Sequence, residues 1–169
     1  IKALNDLGIK KVIAVNVVGG VDPNLKPGEL QLITDYLDLT SGREFTFYDG
    51  VQDGGVKHFD VTRAYDISLR KELAKAASSA NIPLADNGVY AVFNGPRFET
   101  AAEIRWVALA GATVVGMTGA PEVTLAVECG MKFAGIALVA NPAAGVSKEP
   151  ISHEGVTEVV ATSAIKVIQ

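Results

Sequence analysis

Residues 95–100 read GPRFET. Gly95 and Pro96 cannot continue a strand, so they mark the end of one. The loop beyond them sets an aromatic ring, Phe98, beside a carboxylate, Glu99. At the carboxyl end of a strand, where open α/β sheets collect their ligands, the ring could stack on a flat ligand while the carboxylate accepts its N–H groups. Two further apolar runs end in residues too polar for a core: TVVG in Met117-Thr118, and GIALVA in Asn141. VNVVGG ends in two glycines, so Asn16 to Gly20 could present backbone N–H groups to an anion. If the strands are parallel, these ends share one edge of the sheet, the ordinary place for a ligand.

Each residue also has a purely structural explanation. Glu99 could be a first-turn carboxylate favoured by a helix dipole, and Asn141 a turn residue before Pro142. Met117 could belong to the core, and Thr118 could be an N-cap. Gly19-Gly20 could be an ordinary turn, and His153 a solvated residue at a helix start. Taken singly, none separates chemistry from architecture.

The elements that must position these residues follow from pattern. KKVIAVNVVGG is a β-branched apolar run, which predicts a buried strand ending in a tight turn. After a Pro27-Gly28 turn, Leu30, Leu32 and Tyr36 alternate. A polar, Gly-containing loop spans SGREFTFYDGVQDGGVKH, and Leu69, Leu73, Ala76 and Ala77 then recur at helical spacing. NGVYAVF predicts the next strand, and TAAEIRWVALAGA a helix whose Thr100 and Glu103 have capping-box spacing. TVVGM, PEVTLAVECG and FAGIALVAN read as strand, helix with Pro121 in its first turn, and strand. One last helix carries Val156, Val159, Val160, Ala164 and Val167. Alternating strands and helices predict an α/β domain: a mostly parallel, mixed sheet flanked by helices, one domain over residues 1–169.

The 169 residues can bury a substantial core, and 49% apolar with 20% charged residues argues against disorder. A net charge of −4 without a Lys/Arg run gives no reason to expect nucleic acid. The single cysteine, Cys129, cannot form an internal disulfide, and no apolar run is long enough to span a bilayer. The expectation is a cytoplasmic protein without membrane contact. Because the chain opens on Ile1 rather than Met, it is also expected to be a processed product or part of something longer.

Taken together, the motifs do separate the two explanations. GPRFETAAEIRWVALAGATVVGMTGAPEVTLAVECGMKFAGIALVANPAAG resembles the trimeric purine nucleoside phosphorylases and methylthioadenosine phosphorylases, and the resemblance extends from VNVVGG to ISHEGVTEVV. It implies the nucleoside-phosphorylase fold and a pentosyltransferase of purine salvage that splits a purine nucleoside with inorganic phosphate. The products are free base and ribose 1-phosphate. Phosphate is a co-substrate, and neither metal nor cofactor is expected. A homotrimer or a dimer of trimers is implied.

By place in the motif, Glu99 matches the carboxylate that accepts the purine N1–H, and Asn141 the amide that meets N7 as the base departs. Phe98 packs on the purine and Val115 lines its pocket. Met117 matches the residue under the ribose, and His153 the histidine at the 5′-hydroxyl. Thr118 and the Val17 backbone N–H match phosphate donors. KHFDVTRAYD matches a segment that closes a neighbouring subunit's site, which makes His58 and Phe59 candidates; a loop aromatic packed on its own subunit is the alternative.

The branches of this superfamily differ in ways that chemistry explains. A 6-oxopurine carries a proton on N1 and needs an acceptor such as Glu99. The 6-aminopurine branch resembles this chain less: it has Ser or Thr there, and T-D-x-D in place of ANPA. His153 suits a 5′-hydroxyl better than a methylthio group. DLTSGREFTFYDG, however, resembles the methylthioadenosine or methylthioinosine branch. The reading is an inosine/guanosine phosphorylase, with a methylthioadenosine or methylthioinosine phosphorylase as alternative. The family's phosphate site also takes a Ser or Thr, an Arg and a His from an N-terminal third that has no counterpart here, and neither His58 nor Arg97 replaces them. A noncatalytic purine-binding remnant is therefore the rival.

Overall fold

The structure is a computed structural model that describes residues 1–48, 50, 55–148, 151 and 153–168, without the side chain of His153. Five strands, β1 (Lys11–Gly20), β2 (Leu30–Asp38), β3 (Ala85–Val92), β4 (Val114–Gly116) and β5 (Lys132–Pro142), close into a barrel in the order β1-β4-β3-β2-β5. The ring is narrowest at β1–β4, where only Gly19 and Gly20 of β1 find partners. β1 runs parallel to β5, and β3 runs parallel to both β2 and β4. The two sets meet antiparallel, at β1–β4 and β2–β5. Most of the ladder is thus parallel, as the alternation of strands and helices predicts.

The premise of one shared edge needs correction. β1 and β5 point opposite to β3 and β4, so the carboxyl ends do not all lie together. They meet because the last two residues of β1 pair with the first two of β4, Gly19 opposite Val115 and Gly20 opposite Val114. β4 is only three residues long, so its carboxyl end stays close to that of β1.

Tyr65, Tyr90, Phe133, Ile33 and Val139 fill the main core, all at most 1% exposed. Burying a side chain of this size contributes about 1.5–3 kcal/mol. Helix α2 (Ile67–Ser79) is capped by Asp66, whose carboxylate accepts the Leu69 N–H at 2.8 Å. The expected capping box opens α3 (Ala101–Leu109): Thr100 Oγ1 accepts the Glu103 N–H, and Glu103 accepts the Thr100 N–H. Helix α4 (Gly119–Glu128) buries Ala120, Val123 and Ala126, one helical turn apart, against the core.

Two elements differ from the pattern reading. A short helix, α1 (Lys2–Asp6), precedes β1. The last helix breaks at Ala164 into α5 (His153–Ser163) and α6 (Ile165–Ile168). Among the described residues no helix is long and apolar enough to cross a membrane.

Candidate active site

A cavity of about 170 Å³ opens where the ends of β1, β4 and β5 meet the β3–α3 loop. Val17, Phe98, Glu99, Val115, Met117, Thr118 and Asn141 all line it. Seven of the ten predicted site residues therefore share one space. Ile151 and Val156, which were not expected in the site, complete an apolar side. Among the described residues lining it, none carries a positive charge.

The β3–α3 loop explains why Gly-Pro comes first. The Gly95–Pro96 peptide is cis, and Gly95 has φ +68°, a left-handed conformation that favours glycine. A Cβ at Gly95 would also collide with Met117 Sδ, so the loop and the end of β4 can approach only because that atom is missing. The chain then delivers Phe98, 42% exposed, and Glu99, 7% exposed, to the cavity. A phenyl ring that open is not a core residue.

Glu99 does not serve as a helix-terminus carboxylate. It precedes the N-cap Thr100, and Glu103 takes the first-turn position. Glu99 Oε1 is buried with no hydrogen-bond partner. Burial, reinforced by the Glu103 charge, raises its pKa from the usual carboxylate range, although a backbone hydrogen bond and Arg97 oppose the shift. An acceptor already stripped of water and left unpaired is disposed to take an N–H from a ligand.

Asn141 reaches the cavity through a β-bulge. Val18 pairs with Val139 but Gly19 pairs with Asn141, so Ala140 is an extra residue and the strand turns there. Asn141 Nδ2 donates to the Pro142 carbonyl at 2.7 Å, which holds the amide in place. The tethered Asn141 lines the same cavity as Glu99.

Thr118 stands at the N-cap position of α4, but its hydroxyl caps nothing. It donates to Asn16 Oδ1 at 3.0 Å and lies 3.5 Å from the Tyr90 hydroxyl. Asn16 is 4% exposed in the middle of an otherwise apolar strand, a polar residue at a core position that marks a function for its side chain. The sequence reading used only its backbone.

The remaining predicted residues lie elsewhere. Phe59 is outside the cavity and packs on Tyr48 of its own chain, ring centroids 5.7 Å apart, while His58 is exposed in the same loop. His153 opens α5, and its side chain lies outside the described residues. Arg97 turns away from the cavity to form a bidentate pair with Glu103, at 2.7 and 2.8 Å, so it does not stand in for a phosphate-binding arginine.

Known proteins are similar to this chain in sequence and in fold. The chain is 43% identical over 158 residues to the probable 6-oxopurine nucleoside phosphorylase of Moorella thermoacetica, covering 94% of this chain and 60% of the relative. It is 41% identical over 162 residues to the 6-oxopurine nucleoside phosphorylase of Pyrococcus furiosus, covering 94% and 61%. A probable S-methyl-5'-thioinosine phosphorylase of Methanothermobacter thermautotrophicus matches at 41% over 158 residues, 94% of this chain and 53% of that one. Among solved structures, the methylthioadenosine phosphorylase of Schistosoma mansoni in complex with adenine superposes with a TM-score of 0.93 at 31% identity, over 99% of this chain and 65% of that one. The chain thus spans about 60% of the length of the first two relatives. The model of the Phosphorylase superfamily matches residues 1–169, and the chain belongs to that family.

Proposed function

We propose that the protein carrying this chain cleaves 6-oxopurine nucleosides with inorganic phosphate, releasing the base and ribose 1-phosphate. The observation that carries this reading is the buried, unpartnered Glu99 Oε1 in one cavity with Asn141. A 6-oxopurine offers an N1–H to that oxygen, whereas the bare N1 of a 6-aminopurine would set two acceptors against each other. That mismatch costs on the order of 1–3 kcal/mol.

As the glycosidic bond breaks, the sugar gains oxocarbenium character and negative charge builds on the purine. Asn141 at N7 stabilises that charge through an amide held in place by the Pro142 carbonyl, so little reorganisation is needed. Phe98 covers the purine face, Val115 lines its pocket and Met117 lies under the ribose. The Thr118 hydroxyl and the Val17 N–H meet phosphate, and His153 meets the 5′-hydroxyl. His58 and Phe59 act on a neighbouring subunit's site in a homotrimer.

A specific observation favours a second reading. Ile151 and Val156 give the cavity an apolar side close in sequence to His153, which suits a 5′-methylthio group. S-methyl-5'-thioinosine would then be the nucleoside, with Glu99 and Asn141 in the same roles.

Phosphate-dependent release of base from inosine, methylthioinosine and methylthioadenosine in parallel tests both readings. Turnover of inosine supports the first and preferential turnover of methylthioinosine the second. Turnover of methylthioadenosine alone contradicts both.

A further inference from the structure

A threonine hydroxyl has one proton, and at Thr118 that proton is directed to Asn16 Oδ1, 3.0 Å away. In this state the hydroxyl presents only lone pairs to the cavity, which would repel an anion. Two features confine the group on one side. The Tyr90 hydroxyl lies 3.5 Å from both Oγ1 and the backbone nitrogen of Thr118. The Tyr90 ring is itself wedged beneath the turn: a Cβ at Gly116 would lie 2.5 Å from its hydroxyl oxygen, and one at Gly119 would lie 2.8 Å from its ring. Tyr90 thus packs against Oγ1 on one side, and redirecting the proton requires no movement of the oxygen.

Asparagine is suited to change it. Its amide carries an acceptor on one branch and donors on the other, and a half-turn about χ2 exchanges them. With Nδ2 facing Thr118, the amide donates to Oγ1 and the hydroxyl proton is free to point into the cavity. We propose that Asn16 is a positioning residue that switches the Thr118 hydroxyl from acceptor to donor when an oxyanion enters. This rests on the reading of Thr118 as a phosphate contact. Asn16 does not line the cavity, so it acts through Thr118. It also explains a neutral amide at this buried point: a carboxylate would hold the proton permanently, and an aliphatic side chain would leave it undirected.

The test is calorimetric titration of the protein, at its full natural length, with inorganic phosphate and separately with hypoxanthine. Thr118→Val is expected to weaken phosphate binding roughly tenfold. Asn16→Asp is expected to weaken it by at least as much, and Asn16→Leu by a few-fold, both leaving hypoxanthine affinity within about twofold. In the Thr118→Val background Asn16→Leu should have no further effect, because no proton remains to direct. If Thr118→Val weakens phosphate binding while both Asn16 variants bind it as wild type does, the switch is wrong and the phosphate reading stands. If Thr118→Val leaves phosphate affinity unchanged, both fall. If Asn16→Leu reduces phosphate and hypoxanthine affinity alike, Asn16 is structural and the proposal is overturned.

Discussion

Glu99 and Glu103 lie four positions apart on either side of the start of α3, and their surroundings are opposite. Glu103 accepts from Thr100 N–H and from both branches of the Arg97 guanidinium, which hold its pKa down to about 2. Glu99 has an oxygen with no partner, and burial pushes its pKa up. The first carboxylate is fully used in securing the loop to the helix. The second is kept unsatisfied at a cost in stability, which is the usual mark of a group reserved for a ligand. The segment RFETAAE therefore divides its labour: one acid builds the scaffold so that the other can be held over the cavity.

Variants can break or sharpen that division. The largest effect is expected at Asn141, which lines the same cavity as Glu99. Asn141→Ala should lower kcat for phosphorolysis about 10²–10³-fold, as loss of a preorganised donor to developing charge does. Its melting temperature should stay close to that of wild type.

Glu99→Gln comes next. It keeps an acceptor but loses the charge, so kcat/KM for a 6-oxopurine nucleoside should fall about 10–10²-fold. The same change should raise thermal stability at pH 7. A carboxyl group whose folded pKa is raised stabilises the fold below its ordinary value and loses that contribution as pH rises through the folded pKa. The melting advantage of Glu99→Gln should therefore grow as pH rises above the ordinary carboxylate range. Glu103→Gln should behave in the opposite way. Its folded pKa is lowered, so the native glutamate stabilises above the ordinary range and ceases to do so as pH falls toward about 2. The melting deficit of that variant should accordingly be present at neutral pH and shrink toward about pH 2. Equal slopes for the two variants in a pH series of thermal melts would abolish the distinction.

Smaller effects follow at the loop itself. Gly95→Ala should cost about 1–2 kcal/mol from its left-handed backbone alone, and should displace Met117 enough to raise KM for the nucleoside. Thr100→Ala should cost about 1 kcal/mol through loss of the cap, with kcat little changed. Denaturant unfolding together with steady-state kinetics would resolve the two.

Much of this was legible in the chain. Glu99, Met117, Thr118 and Asn141 each fit a structural role when taken singly, and only the motif they share with Phe98 pointed to one site. The capping box was readable because its spacing is local. What escaped were properties of three-dimensional closure. No local pattern shows that β1 and β4 pair antiparallel, or that the bulge at Ala140 aims Asn141. The role of Asn16 was hidden for the same reason, because its partner Thr118 lies 102 residues away. A single asparagine within AVNVV was the available signal. Ile151 and Val156 lie in the ISHEGVTEVV stretch, but only His153 there was read as a site residue. Two parallel pairs, β1 with β5 and β3 with β4, assemble this site where they meet antiparallel at β1–β4.

The central claim is that Glu99 waits for the N1–H of a 6-oxopurine. Calorimetric titration of hypoxanthine and adenine against the wild-type protein and Glu99→Gln tests it most directly. The account predicts that wild type binds hypoxanthine at least about tenfold more tightly than adenine, and that Glu99→Gln narrows the ratio. Equal affinity for the two bases in wild type, or a preference for adenine, would contradict it.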